Sequence, residues 1–438
     1  METANHSEVK TAFTHGLFIS LGLFTQAATP LIDSFSVSAL GYSAIATVGV
    51  GGAVTGALCA LFSGLSMATQ SAVGARIETQ ESTQIRSIVR KGLTFAISIS
   101  LALALLIVPF SRSIFHLLLP HVEISSEALK YFQWRTFAIL PFSLNCVLGG
   151  FFLAVGRINK WLNAVLLSFL STLILELIFS GSIEIVGIAA FFSGLLALTI
   201  FLVPEFILGE RNVELRADSP ETRRFLTRAL MASSHQFLFT IGVTLFFACV
   251  GKLGTTASTV TVILVDLFRF SLVPFMGIGT ATVTFVSRYK RTKTQQELMG
   301  ALRSILWISA GLAFLLGLPM VLFPRVILGF FIHEPAVIDI GIIPLKMLGV
   351  ILPIDAMGVI LMNVLYSVNE GHRAAGVSLG LQWFFCLPCA YFLAYSSQVG
   401  LLALWSTVLI WRLLQAFGLA LIWKFRGSIA INSSKRGA

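Results

Sequence analysis

The chain has 438 residues, of which 56% are hydrophobic and 11% charged, and its mean hydropathy is +0.89. Soluble chains carry about 25% charged residues, so this composition excludes a soluble enzyme and points to a polytopic membrane protein. The net charge of +10 calls for no nucleic-acid partner, because basic residues of membrane proteins collect in cytoplasmic loops.

A membrane span needs about 20 apolar residues. Twelve segments qualify: 13–36, 44–70, 92–110, 131–153, 161–180, 185–208, 229–250, 257–286, 301–323, 338–366, 374–395 and 400–423. Backbone groups in lipid must be satisfied within the segment, and these runs lack the alternation of barrel strands. The expected fold is therefore an all-α polytopic membrane protein of twelve transmembrane helices.

The first span carries Pro30 one turn before Asp33. Proline removes a helical hydrogen bond and favours a kink, which makes Pro30 a candidate hinge. The second span holds Gly52-x-x-x-Gly56 and the eleventh holds Gly376-x-x-x-Gly380, spacings expected at close helix contacts. Span 4 offers Gln133 and Asn145, and span 11 offers Gln382, as hydrogen-bonding side chains for a substrate cavity. Abundant Phe, Trp and Met side chains suit an apolar or aromatic cation. Span 5 carries Thr172 and Glu176 four residues apart, on one helix face. Glu205 ends span 6 beside Pro204 and is expected at the solvated interface.

The polar stretch 209–222 follows. Span 7 contains His235, expected to be a hydrogen-bonded helix histidine. Span 8 contains Asp266 and Arg269, three apart and expected to neutralise each other as a buried pair. Asp355 of span 10 and Arg412 of span 12 both fall near the membrane midplane. Arg412 is expected either to pair with Asp355 or to line the cavity. Cys386-Leu-Pro-Cys389 in span 11 spells a CxxC without the strand–helix context of a redox site. No metal cluster, nucleotide-binding loop or nucleophile triad is present in the sequence, and no cofactor is expected.

With the N-terminus inside, 22 of the 30 basic residues fall in cytoplasmic segments. Six, Arg135 among them, fall on the outer side or at outer helix ends. This asymmetry predicts both termini in the cytoplasm of a multi-pass protein of the cell membrane, the inner membrane if the source is Gram-negative.

The two halves repeat. A shift of 213 residues aligns Ala44 with Ala257, Phe62 with Phe275, Gly64 with Gly277, Ala68-Thr69 with Ala281-Thr282 and Val73 with Val286. The chain is thus expected to form an N-terminal lobe (1–208), a cytoplasmic linker (209–222) and a C-terminal lobe (223–438), each lobe of six spans. Parallel repeats of this kind are a transporter architecture.

A six-plus-six repeat first suggests the major facilitator type, but the loop GARIETQESTQIRSIVRKG (74–92) lacks that family's signature. The segment IDSFSVSALGYSAIATVG (32–49) instead resembles the turn between spans 1 and 2 of the multidrug and toxic compound extrusion (MATE) family. Its counterpart in the second half, VGKLGTTASTVTV (250–262), is the repeat of the same turn, and two more segments resemble the family: ILELIFSGSIEIVGIAAFFSG (174–194) and LYSVNEGHRAA (365–375). The chain departs from the family where Ala72-Val73-Gly74-Ala75 replaces a Gly-Gln, and where span 7 has Phe239 rather than an acid.

The resemblance implies an antiporter that exports amphipathic, often cationic small molecules in exchange for protons or sodium. It also implies an ion site on span 1 and span 5 acids, here Asp33 and Glu176, with Thr172 standing where the family has Asn. At 1.5 Å rise per residue, Asp33 lies roughly 30 Å and Glu176 roughly 22 Å from the inner helix ends. Both therefore belong in the outer half of the membrane, where they are expected to titrate as a coupled pair. Neutralising either is expected to stop gradient-driven efflux with near-normal folding. Asp355, Asp266, Arg269 and Arg412 are secondary coupling candidates. The expected surroundings are a lipid bilayer and a small-molecule substrate, with the protein a monomer. Two other functions fit the composition: a lipid-linked saccharide flippase of the same broad superfamily, and a non-transporting membrane sensor or assembly factor.

Overall fold

The computed structural model describes residues 2–37, 40, 42–77, 82–118, 125–179, 181–201, 220–289, 295–332, 334–368, 370–395 and 400–427. These are helices joined by short turns, with no strand among them. In chain order the helices are α1 (Glu2–Ser36), α2 (Tyr42–Ile77), α3 (Ser82–Ile107), α4 (Ser111–Leu118), α5 (Ser126–Phe137), α6 (Ile139–Ala154), α7 (Ile158–Ile178) and α8 (Ile183–Phe201). The second half continues with α9 (Pro220–Gly251), α10 (Thr255–Tyr289), α11 (Gln295–Leu322), α12 (Pro324–Gly329), α13 (Pro335–Ser367), α14 (Gly371–Leu381), α15 (Leu387–Tyr395) and α16 (Leu401–Ile422). Among the described residues, eleven helical stretches are long and apolar enough to cross a membrane, and α1 holds the remaining predicted segment, 13–36.

Two irregularities have proline causes. Span 4 is divided at Ala138, between α5 and α6. Pro141 lacks an N–H, and its ring crowds the carbonyl four residues back, at Phe137. Span 11 widens into a π-turn over Gln382–Cys386, immediately before Pro388; a wider turn absorbs the bond that proline cannot donate. Pro30, in contrast, lies within a helix that continues to Ser36.

The chain forms two compact units, one of Leu21–Phe237 and one of Met1–Ser20 with Leu238–Ala438. Their boundaries fall inside α1 and α9; residues 209–219 of the polar linker, and Glu205, lie outside the described residues.

Each unit contains the same close helix contact. In the first, a Cβ on Gly64 of α2 would overlap the backbone of Ala232 and Ser233 on α9. In the second, a Cβ on Gly277 of α10 would overlap Gly16 and Ser20 on α1. Ser20 and Ser233 are themselves 213 positions apart, so the contact obeys the sequence repeat. Around it, Phe62 and Phe275, Thr69 and Thr282, and Val73 and Val286 are all buried. Thr69 donates to the Leu65 carbonyl at 2.8 Å and Thr282 to the Ile278 carbonyl at 2.7 Å, closing both hydroxyls within their own helices.

The small-residue spacings fare differently. Gly56, Gly376 and Gly380 have open space where a Cβ would stand, so the expectation of close contacts there is corrected. Helix approach is set instead by Gly64, Gly277, Gly150 against the Ser66 carbonyl, Gly187 against the Tyr131 carbonyl, and Gly317 against Gly349. Sequence spacing marks a small-residue face; only the partner helix decides whether that face is used.

Candidate functional site

The unit Leu21–Phe237 holds a buried charge cluster built from α1, α5 and α7. Asp33, in the last turn of α1, is 2% exposed. Its Oδ2 accepts a hydrogen bond from Arg135 Nη2 of α5 at 2.9 Å, while Oδ1 is buried without a partner. Glu176 of α7 is 1% exposed. It lies beside Asp33, Ser36 and Arg135, and both of its oxygens are buried. Tyr131, one turn before Arg135, is fully buried and donates its hydroxyl to the Val48 carbonyl of α2 at 2.9 Å. This bond fixes the face of α5 that carries the arginine. Gly52 of α2 leaves the room: even a Cβ there would come only to 3.7 Å from Arg135 Nη2 and from the Tyr131 hydroxyl.

The cluster therefore contains two carboxylates and one guanidinium. With all three charged, one negative charge is unbalanced, and an isolated buried charge is very costly unless a counter-ion or proton joins it. Such a site can hold and release a monovalent cation. Thr172, one turn before Glu176, has its hydroxyl 2.8 Å from Ser193 Oγ of α8 and 3.0 Å from the Ser168 carbonyl, so it ties α7 to α8.

Arg135 was counted above among the outer helix ends; the structure corrects this, with its side chain 15% exposed and paired to Asp33. The predicted span began at residue 131, but the helix starts at Ser126, where Ser125 accepts a capping bond from the Ala128 N–H. At 1.5 Å per residue, Arg135 lies about 14 Å inside that start. The Ser125-Ser126-Glu127 run, readable as a helix N-terminus, was the signal available.

The other unit has its own charge pair. Arg412 Nη1 of α16 donates to Asp355 Oδ1 of α13 at 3.4 Å, which answers the question of Arg412's partner. The rings of Trp411, Phe239 and Phe268 lie 4.5, 5.6 and 5.8 Å from its guanidinium carbon. The pair is not the repeat image of the first: a shift of 213 carries Asp33 to Phe246 and Glu176 to Cys389.

Asp266 and Arg269 are both exposed, and among the described residues no ion pair joins them. The expected buried pair is thus corrected: three-residue spacing puts them on one side of α10, but that side is not the packed one.

Of the cavity amides, Asn145 donates to the Gly194 carbonyl at 3.1 Å and Gln382 to the Phe239 carbonyl at 3.0 Å, so both brace neighbouring helices. Each keeps one buried oxygen without a partner. Gln133 is half-buried. His235 is buried. All five cysteines are free.

The helical architecture and the number of long apolar helices among the described residues define a polytopic membrane protein. The model of the MatE family matches residues 19–178 and 232–395, and the chain belongs to that family. A relative from Thermotoga maritima, a probable multidrug resistance protein NorM, is 26% identical over 223 residues, 49% of this chain and 46% of that one. The match thus spans about half the length of the curated relative.

Among solved structures, an outward-facing multidrug resistance MATE transporter of the MOP superfamily superposes with a TM-score of 0.85, at 20% identity and 96% coverage of both chains. A MATE protein in its straight conformation gives 0.86, at 19% identity and 97% coverage of both chains. A MOP superfamily transporter from Pyrococcus furiosus gives 0.85, at 20% identity, covering 97% of this chain and 96% of the other. At these identities the likeness establishes the fold.

Proposed function

We propose that the chain is a secondary active antiporter that exports amphipathic or cationic small molecules in exchange for protons or sodium. The observation that carries this reading is Glu176: a fully buried carboxylate beside a second buried carboxylate, Asp33, and a single guanidinium, Arg135. In lipid-embedded protein, ionisable groups of this kind mark ion or substrate pathways. The name of the Thermotoga maritima relative supports multidrug export.

Exchange at a shared site requires that the ion and the cargo favour different states. The single unbalanced negative charge supplies this difference. A cationic substrate or an inward-moving cation can neutralise it, but not both together. The excess of basic residues in the predicted inner loops supports cytoplasmic termini, and the protein is proposed to act as a monomer.

The test uses purified protein in liposomes, with proton and sodium gradients imposed separately and a cationic dye followed. Dye movement is expected under at least one gradient, and its loss is expected in Asp33→Asn and Glu176→Gln. Dye transport that persists after both gradients are collapsed by ionophores would overturn the reading.

A further inference from the structure

The pair Asp355–Arg412 is incompletely satisfied. Its 3.4 Å separation exceeds the roughly 2.7–2.9 Å of a charge-assisted bond. Asp355 Oδ2 and Arg412 Nε are both buried without a hydrogen-bond partner. A guanidinium offers five N–H donors in a planar fork that matches a carboxylate, and Asp355 engages it through one nitrogen. Next to it, Trp411, whose ring lies 4.5 Å from the guanidinium carbon, has a buried and unpartnered Nε1 too. Orphaned buried polar groups are few in folded proteins and cost about 1–3 kcal/mol each. Three in one cluster, on an arginine whose side chain keeps 17% of its surface exposed and on its two neighbours, mark a place built to receive a polar group.

Charge decides which group. A cationic ligand meets a guanidinium held over three rings. An anionic ligand meets two unpartnered donors, Arg412 Nε and Trp411 Nε1, against one unpartnered acceptor, Asp355 Oδ2.

We propose that Arg412 anchors a binding subsite for the carboxylate of an aromatic or otherwise apolar ligand, with Trp411, Phe239 and Phe268 forming its apolar wall. The ligand's carboxylate takes the guanidinium fork in place of Asp355. Asp355 is then left with an unbalanced charge, which one proton or monovalent cation from solution neutralises. Among the described residues, Arg412 is the charged group that acts on Asp355, and Cys386 is a titratable neighbour of Arg412. The subsite lies wholly within the unit of the second half and does not depend on ion exchange at Asp33 and Glu176.

Titration calorimetry on the purified full-length protein tests this with naphthoate, and with naphthamide and naphthylmethylammonium as neutral and cationic controls of the same ring. Naphthoate is expected to bind, and both controls to bind at least about tenfold more weakly, the ratio for one lost charge-assisted contact. Arg412→Gln is expected to weaken naphthoate by about tenfold or more. Arg412→Lys, which keeps the charge but not the fork, should show most of that loss and replaces the first variant if it does not fold. Asp355→Asn is expected to tighten naphthoate binding, because it removes the carboxylate that competes for Arg412; a purely structural ion pair predicts no gain. Absence of naphthoate binding to the wild type, equal binding of the ammonium, or unchanged or weaker binding to a folded Asp355→Asn would overturn the proposal.

Discussion

Arg135 Nη2 stands 2.9 Å from Asp33 Oδ2, joining α5 to the last turn of α1 across 102 positions of sequence. Because Glu176 lies beside this pair, the cluster with every group ionised carries one negative charge with Arg135 and two without it. That difference ranks the variants. Asp33→Asn leaves Arg135 with Glu176 as counter-charge, and Glu176→Gln leaves the existing pair intact. Arg135→Gln strands two buried carboxylates, at about 3–5 kcal/mol. Thermal unfolding of the detergent-solubilised protein should place Arg135→Gln well below the other two.

The double variant Arg135→Gln/Asp33→Asn restores the wild-type net charge of the cluster. It should recover part of the stability lost in Arg135→Gln, a coupling of about 0.5–3 kcal/mol in a double-mutant cycle. Strict additivity of the two losses would show that Arg135 and Asp33 do not act on each other.

Glycine substitutions should separate contact from spacing. Gly64→Ala and Gly277→Ala push a Cβ into Ser233 and Ser20 respectively, and overpacking of this kind costs about 1–3 kcal/mol. Gly56→Ala and Gly376→Ala meet open space and gain helix propensity, so they should be neutral or stabilising by up to about 1 kcal/mol. Melting temperatures of the four single variants decide it.

Asn145 and Gln133 belong to one span but should respond differently. Asn145→Ala removes the bond to the Gly194 carbonyl and should cost about 0.5–1.5 kcal/mol, the net worth of one hydrogen bond. Gln133→Ala breaks no hydrogen bond among the described residues and should change stability by less than about 0.5 kcal/mol. If Gln133 contacts cargo, dye affinity falls in that variant while its melting temperature holds.

Orientation is checked by labelling single cysteines in a cysteine-free background. Arg157 and Lys252 are both exposed. Lys252→Cys should react with a membrane-impermeant maleimide on intact cells, whereas Arg157→Cys should react only after permeabilisation. The reverse pattern would place the termini outside.

Span number, helical class and the internal repeat were legible in the sequence because each depends on composition or register, which the chain carries residue by residue. Lipid forces apolar runs into helices, and the 213-residue shift that aligns Gly64 with Gly277 is a property of the string itself. Asp33 and Glu176 stood out for the same reason, since an acid inside an apolar run is visible without a fold. Partnerships were not legible. Asp266 and Arg269 share a helix side by spacing, yet that side of α10 is exposed, whereas Arg135 reaches Asp33 from another helix altogether. Gly56 and Gly64 are both glycines of α2, and only Gly64 meets a backbone. Which charge is neutralised, and by what, depends on how helices far apart in sequence pack. A buried ion pair is decided by desolvation and distance, and both of those exist only in the tertiary structure.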